Sequence, residues 1–209
     1  MIIEAYMHEV ALSNDYATLK SIGKTVEKRD IWQLKIFSWK WITGATCIYG
    51  INLLSTSYGS NPKVTALLDK YDVYIIPIMN PDGYAYTWSN DRLWRKNRNK
   101  YKGAKCSGVD LNRNFDDHFG GKGSSGIPCS QIYRGPSPAS ELETKATQAA
   151  IIDLVKNAKL KVLYSIHSYS QLWMHPHGWK KEHPKEAKEL KRVSRIGMHA
   201  LTAVHGTKI

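Results

Sequence analysis

The chain has 209 residues, 42% of them hydrophobic, with seven tryptophans and a formal net charge of +12 at pH 7. This length suits a single domain with a sizeable core, and the composition excludes an intrinsically disordered chain. No window approaches the roughly 18 apolar residues of a membrane-spanning helix, so we expect no membrane partner.

The N-terminal third alternates between helical and extended patterns. Residues 1–13 have helical spacing, and because they lack a basic cluster followed by an apolar core we expect no signal peptide here. The segment "TLKSIGKTVEKRDIWQLKI" predicts two short strands joined around residues 27–30. Helical spacing returns over residues 41–57, and a shorter helix is predicted over 62–70, where proline is tolerated in the first turn.

The rest of the chain predicts two buried strands and two helices. "YDVYIIPIM" and "KVLYSIH" are nearly continuous apolar runs, which is typical of strands covered on both faces. Ser140 and Glu143 form a capping-box pattern for a helix reaching about residue 158. A last helix is predicted to begin at Pro184 and to end at Gly206. We therefore predict an α/β fold: one domain with a mixed, largely parallel β-sheet and helices on both faces.

The positive charge lies largely in two blocks. Residues 92–105 contain seven Lys or Arg and no acid, and residues 180–195 contain seven more with three glutamates. Such blocks suit anionic partners, among them substrate carboxylates and acidic glycans, although a solvated surface explains the second block equally well. Aromatic residues are not spaced there as stacking platforms, so we expect no nucleic-acid partner.

The three cysteines leave the compartment and the pairing open. Cys106 and Cys129 bracket a Gly- and Ser-rich loop, a pattern typical of a loop that a disulfide closes in a secreted protein. Cys47 lies in an apolar helical pattern and is predicted to be a buried free thiol.

His167 ends the apolar run of "KVLYSIH". A histidine there is either a core residue with a satisfied ring or one ligand of a metal. Because sites in α/β sheets form beyond the carboxyl ends of the strands, its position favours a functional role more than its residue type does. Spacing alone leaves both alternatives open.

Four segments in chain order carry a family resemblance: "MNPDGYAYTWSNDRLWRKNR", "CSGVDLNRNF", "YRGPSPASELETKA" and "SIHSYSQLWMHPHG". Together they resemble the zinc metallocarboxypeptidases of the pancreatic carboxypeptidase A/B type, nearly over the whole chain. The resemblance implies a carboxypeptidase-like fold and a monomeric, extracellular catalytic domain. Its partner would be a peptide or protein C-terminus, from which the family removes the last residue. It also implies a disulfide between Cys106 and Cys129.

The resemblance assigns roles to single residues. Asn112 and Arg113 match the Asn-Arg pair that holds the terminal carboxylate of the substrate, and a guanidinium suits this task because it makes two parallel charge-assisted hydrogen bonds. Arg95 matches the arginine that polarises the scissile carbonyl and stabilises the developing oxyanion. Ser168 and Tyr169 match residues that line the substrate subsites.

The zinc ligands depart from the family pattern. The family holds Zn²⁺ with a His-x-x-Glu pair and a later histidine, which His167 matches. The positions of the pair hold Phe37 and Lys40, in "FSWKWIT". A catalytic zinc takes three protein ligands, and neither a phenyl ring nor an ammonium group donates an electron pair. We therefore expect that this chain does not retain zinc and is inactive as a hydrolase. Three later histidines are not spaced to replace the pair: His175, His177 and His183.

Two further departures leave alternatives open. A sheet strand of the family is missing between Ile36 and Phe37, and the chain stops at "VHGTKI", so the C-terminal part with the catalytic glutamate is expected to be missing. No propeptide is recognised, and we expect an incomplete catalytic domain over residues 1–209. One alternative is a non-catalytic relative that binds peptide C-termini. The other is a degenerate or incomplete gene product.

Overall fold

The computed structural model describes residues 2–15, 17–34, 41–168 and 170–206. These residues group into two compact units, which fall within Met1–Ser168 and Tyr169–Ile209. Within the described residues, no helix is both long and apolar enough to cross a membrane.

The first unit contains seven of the described helices and strands, and the second contains one long helix. In chain order they are α1 Ile2–Ser13, β1 Leu19–Lys24, β2 Asp30–Leu34, α2 Trp41–Ser57, α3 Pro62–Leu68, α4 Pro81–Ser89, α5 Leu142–Asn157 and α6 Ala187–His205. A single 3-10 turn, Leu111–Arg113, lies between α4 and α5. The predictions of α1, β1, β2, α2, α3, α5 and α6 are confirmed to within a few residues at each end. Gly206 ends α6 in the left-handed conformation, as predicted.

The two strands form an antiparallel hairpin against α5. Leu19 pairs with Leu34 at its open end, and the register shifts between Ser21 and Gly23. A Cβ atom placed on Gly23 would lie 2.8 Å from the Cβ of Ala146 in α5. Glycine is therefore required there, because it lets the helix approach the strand closely.

The core has two apolar clusters separated by β2. Ile31 belongs to one cluster, with Ile76 and Leu111, and Leu34 belongs to the other, with Met7 and further residues. Neighbouring side chains of a strand point to opposite faces, so β2 contributes to both clusters. Cys47 is buried in the second of these clusters and lies outside the disulfide, as predicted.

The two segments predicted as buried strands form no ladder within the described residues. In "YDVYIIPIM", Ile75 makes one antiparallel bridge, in which its amide donates to the carbonyl of Leu34. Residues 159–167 contain no strand, and Val162 and Leu163 are about half exposed. A strand needs a hydrogen-bonded neighbour along its edge, and the described residues supply only the single bridge to Leu34 for these segments.

One helix was not predicted, and one local prediction was wrong. Pro81–Ser89 is helix α4, which the Asn80 side chain caps by accepting from the amide of Gly83 at 2.9 Å. Asn at the cap and Pro in the first turn are helix-start signals. The predicted capping box of α5 is absent, because Glu141 occupies the cap position and Glu143 turns into the core.

Candidate functional site

Asp110 organises the cluster that contains Arg95. Its carboxylate is buried, and its Oδ2 atom accepts from Nε of Arg95 at 2.9 Å and lies 2.8 Å from Nη2. The Arg95 side chain remains 29% exposed, so its guanidinium is held by Asp110 and is still partly accessible to solvent. A buried carboxylate with this cation beside it is compensated rather than isolated. Asp110 therefore fixes the direction of Arg95.

The second oxygen of Asp110 holds the turn that carries Asn112 and Arg113. Oδ1 accepts from the amide of Asn112 at 3.1 Å, so Asp110 caps the start of the 3-10 turn. Arg113 donates from Nε to the carbonyl of Gly123 at 2.9 Å and from Nη1 to the carbonyl of Asn112 at 2.9 Å. One buried carboxylate thus brings together Arg95, Asn112 and Arg113, three of the residues predicted to hold substrate.

The loop closed by the disulfide supports this turn. Cys106 and Cys129 are bonded, which confirms the pairing implied by the resemblance. Gly123, the acceptor of Arg113, lies inside the loop. Lys96 is buried and donates from Nζ to the carbonyl of Pro128 at 2.7 Å, beside the second cysteine. The loop therefore contains Asn112 and Arg113 themselves, and the side-chain hydrogen bonds to Gly123 and Pro128 help to hold it in place.

A buried polar network lies behind the cluster. Asn97 donates from Nδ2 to Glu141 at 2.7 Å and to Glu143 at 3.2 Å, and its Oδ1 accepts from the amide of Val109 at 2.8 Å. The amide of Asn97 also donates to the carbonyl of Val109 at 2.9 Å. These bonds pair the segment of Arg95 with the segment of Asp110, so Asn97 sets the spacing between the cation and its carboxylate.

Glu141 is the centre of that network. Its carboxylate is fully buried and accepts hydrogen bonds from four side chains: Asn97, Asn99, Tyr101 and Ser140. Burial, together with the hydrogen bond to Glu141, raises the pKa of Tyr101, so its phenol stays a donor. The Glu141 carboxylate is thus the common acceptor that joins these four side chains.

Glu143 lies in the same network with fewer partners. Its pKa is raised to about 7, mainly by burial and also by the negative charge of Glu141, while hydrogen bonds, including the one from Asn97, oppose the rise. Its Oε1 atom has no hydrogen-bond partner among the described residues. Glu143 is therefore the side chain of this network that changes its charge near neutral pH.

Part of the first basic block is used inside the protein. Lys96 is buried, and burial lowers its pKa. The guanidinium of Arg98 lies 3.6 Å from the ring centre of Tyr86 and 4.6 Å from that of Trp94, with Glu27 at 3.9 Å. Such a cation is held by cation–π contacts and is not available to a large anion. The prediction of one anion-binding block over residues 92–105 therefore applies only to part of it.

The remaining predicted site residues have fewer described contacts. His167 is exposed, and its Nε2 atom lies 3.0 Å from Oγ of Ser165. Ser168 is half-buried. Phe37, Lys40 and Tyr169 lie outside the described residues. The structure thus gives the surroundings of His167, whereas the expectation that Phe37 and Lys40 occupy the positions of two zinc ligands stays a prediction.

The donor set does not fit a catalytic zinc. Within residues 2–15, 17–34, 41–168 and 170–206, no group of three or more His, Cys, Asp or Glu side chains could hold a metal ion. His167 is a single imidazole, and the two positions matching the family's other ligands hold Phe37 and Lys40. Three protein ligands are the usual minimum for such a site, so these residues do not fit the ion.

Sequence reasoning missed Asp110, Asn97 and Glu141. The bond between Asp110 and Arg95 and the bond between Asn97 and Glu141 join positions 15 and 44 residues apart, and no local spacing reveals them. One signal was available, because Asp110 directly precedes the turn that carries Asn112 and Asp is a preferred cap residue.

Known proteins with similar sequences and structures are carboxypeptidases and their relatives. Residues 38–209 match the family described as zinc carboxypeptidase. Carboxypeptidase A2 of Mus musculus is 43% identical over 183 residues, which cover 87% of this chain and 43% of that protein. Carboxypeptidase A1 of Sus scrofa is 40% identical over 204 residues, which cover 90% of this chain and 48% of that protein. This chain spans about half the length of such curated relatives.

Solved structures agree with the sequence matches. Bovine thrombin-activatable fibrinolysis inhibitor, solved in complex with tick carboxypeptidase inhibitor, gives a TM-score of 0.88 at 34% identity and covers 98% of this chain and 72% of that one. Carboxypeptidase A from Helicoverpa armigera gives a TM-score of 0.85 at 28% identity and covers 97% of this chain and 53% of that one. The predicted α/β carboxypeptidase-like fold is therefore confirmed, and the chain belongs to the zinc carboxypeptidase family.

Proposed function

We propose that this chain is a metallocarboxypeptidase-type domain that binds the C-terminal carboxylate of peptides and proteins and does not cleave them with its own residues. The observation that carries the proposal is the double role of Asp110. One carboxylate anchors Arg95 and caps the turn of Asn112 and Arg113. Two guanidinium groups and an amide are thereby held in one polar cluster before any ligand arrives.

Preorganisation favours recognition of a carboxylate. Arg113 already donates to two backbone carbonyls, so little side-chain entropy remains to be lost when an anion binds. A guanidinium also matches a carboxylate with two parallel hydrogen bonds, which an amide cannot accept in the same charge-assisted way. Arg95 contributes a second positive charge whose direction is set by Asp110. These features favour a free C-terminus over an amidated one.

The ligand chemistry argues against hydrolysis by these residues. The family's reaction uses Zn²⁺ to polarise the scissile carbonyl and to activate water. Here Phe37 and Lys40 stand where the resemblance places two of the ligands. Lys40 would also place a positive charge beside the cation. His167 alone does not supply the binding free energy of a three-ligand site.

The setting of the proposed function follows from the family and the disulfide. Ser168 and Tyr169 are proposed, from the family resemblance, to line the substrate subsites. The bond between Cys106 and Cys129 favours an oxidising, extracellular compartment, because cytosolic thiols are kept reduced. We propose that the domain acts as a monomer.

A peptide titration tests the proposal. The full chain is titrated calorimetrically with an N-acetylated hexapeptide ending in a free carboxylate and with its C-terminal amide. We expect at least tenfold tighter binding of the free acid, and we expect Arg113→Gln to remove most of that preference. Lys122→Gln is the matched control, because Lys122 is an exposed cation of the same disulfide loop and the substitution changes the net charge equally.

Two outcomes would contradict the proposal. Equal affinity for the acid and the amide would show that the cluster does not read the carboxylate. Equal loss of affinity in the Arg113 variant and the Lys122 control would show that only the overall charge matters.

A further inference from the structure

Helix α6 carries a basic stripe, defined here as Lys188, Lys191, Arg192 and Arg195. Positions separated by three, four and seven residues lie on one side of an α-helix. All four side chains are exposed. At 1.5 Å per residue the stripe extends about 10 Å along the helix axis. It is therefore a continuous line of cations on one face.

The stripe keeps most of its charge. Glu189, the acid of α6, pairs with Arg192, with oxygen-to-nitrogen distances of 2.7 and 2.6 Å. In the described part of the chain, the ion pairs of α6 do not include Lys188, Lys191 or Arg195. Three positive charges on the stripe are thus uncompensated by neighbours on the helix.

The opposite face of α6 is turned towards its own unit. Gly197 lies nine residues after Lys188, which at 3.6 residues per turn places it on the far side of the helix. A Cβ atom on Gly197 would overlap the ring of Trp173, so the indole packs directly on the helix backbone there. This contact fixes the rotation of the helix within the unit, and the stripe consequently faces away from Trp173.

The segment before α6 carries further exposed cations. Lys181 and Lys185 are exposed, and Lys180 is the one cation of this segment with a described acidic partner, Glu182 at 2.9 Å. A linear anion with repeated charges matches the line of cations on α6 better than a compact anion does.

We propose that the basic stripe binds a linear sulfated glycan. Guanidinium groups bind sulfate and phosphate alike, so the choice of glycan rests on two further observations. The disulfide between Cys106 and Cys129 favours an extracellular compartment, where sulfated glycans are the abundant polyanions and nucleic acids are not. Helix α6 contains no Trp, Tyr or Phe, which single-stranded nucleic acids use for base stacking and interfacial helices use to enter membranes.

This proposal goes beyond recognition of a peptide C-terminus and is independent of it. The cations of the stripe belong to the unit within Tyr169–Ile209, whereas Arg95, Asn112 and Arg113 belong to the unit within Met1–Ser168. A glycan held by the stripe would localise the domain at cell surfaces or matrix through residues other than those of the carboxylate cluster.

The experiment measures binding of a heparin-derived decasaccharide to the full chain by calorimetry at 50 mM NaCl. The test variant is Lys188→Gln/Lys191→Gln/Arg195→Gln, which keeps good helix formers on α6. The control is Lys63→Gln/Lys145→Gln/Lys156→Gln, which removes the same charge from exposed positions in the other unit. We expect the test variant to bind about tenfold more weakly at least, and the control to change less than twofold.

Further ligands separate the alternatives. Single-stranded DNA of equal charge and vesicles containing phosphatidylserine are titrated under the same conditions. Tighter binding of the DNA or of the vesicles than of the decasaccharide would overturn the choice of a glycan. No heparin binding at 50 mM NaCl, or equal losses in both variants, would overturn the stripe as a binding surface. Circular dichroism spectra that match the wild type show that the losses do not come from unfolding.

Discussion

Glu143 gives the sharpest prediction about the buried network, through the variant Glu143→Gln. The side chain is fully buried, and burial raises its pKa to about 7 from an ordinary value of 4.5. Folding therefore favours its protonated form. This preference stabilises the fold fully below pH 4.5 and is lost as pH rises through about 7. The difference between the two pKa values corresponds to a stabilisation of about 3 kcal/mol, at 1.36 kcal/mol per pKa unit.

Glutamine imitates the protonated acid at every pH. Its amide oxygen can accept from Asn97 as the carboxylate does, but its NH₂ group faces the side where Oε1 has no partner among the described residues. An unsatisfied donor costs about 1 kcal/mol. We therefore expect the variant to be about 2 kcal/mol more stable than the wild type at pH 8, and about 1 kcal/mol less stable at pH 4.5.

The assay is urea unfolding followed by tryptophan fluorescence at pH 4.5, 6 and 8. The control is Glu9→Gln, since Glu9 is exposed and the substitution removes the same charge. The reasoning is refuted if the difference between Glu143→Gln and wild type does not change with pH, or if it changes equally in the control. A variant less stable than wild type at pH 8 would refute it as well.

Two further predictions concern packing and the disulfide. Gly197→Ala places a methyl group against the ring of Trp173 and should lower the free energy of unfolding by about 1–3 kcal/mol. The control Gly50→Ala has open space around it in a helix and should raise the free energy of unfolding by about 0.5–1 kcal/mol. Thermal melts compare the two variants, and equal shifts would contradict the contact with Trp173. Replacing Cys106 and Cys129 by serine opens a loop with a sequence separation of 23 and should cost about 3 kcal/mol in urea unfolding, so a loss below 1 kcal/mol would contradict the constraint.

Local patterns were sufficient for most helices and for the hairpin. The spacing of α2 and α6, and the turn signals around residues 27–30, depend on neighbours within one or two turns of the chain. Helix α4 was missed because Asn, Pro, Asp and Gly in a row occur in turns as well as at a helix start. Only the packing of the helix decides between the two.

The strands of the sheet could not be judged from hydrophobicity alone. "YDVYIIPIM" buries Ile75 and Ile76 in the two core clusters, but it joins β2 through one bridge. An apolar run predicts burial. It does not predict which neighbour supplies the hydrogen bonds of a ladder.

The site shows the same division between local motif and distant support. Arg95, Asn112 and Arg113 were predicted from motifs, and the structure joins them through Asp110. Asn97 and Glu141 were not predicted, because the bond between them joins positions 44 residues apart in sequence. A motif therefore identified the groups that meet the ligand, and the three-dimensional contacts identified the groups that hold them in place.

The central claim is that carboxylate recognition is retained while the zinc ligand set is not. It is tested by the ratio of affinities for a free-acid peptide and its amide, measured on the full chain before and after treatment with a chelator. We predict at least tenfold preference for the free acid in both samples. A preference that disappears with the chelator, or cleavage of the free-acid peptide in the untreated sample, would contradict the account.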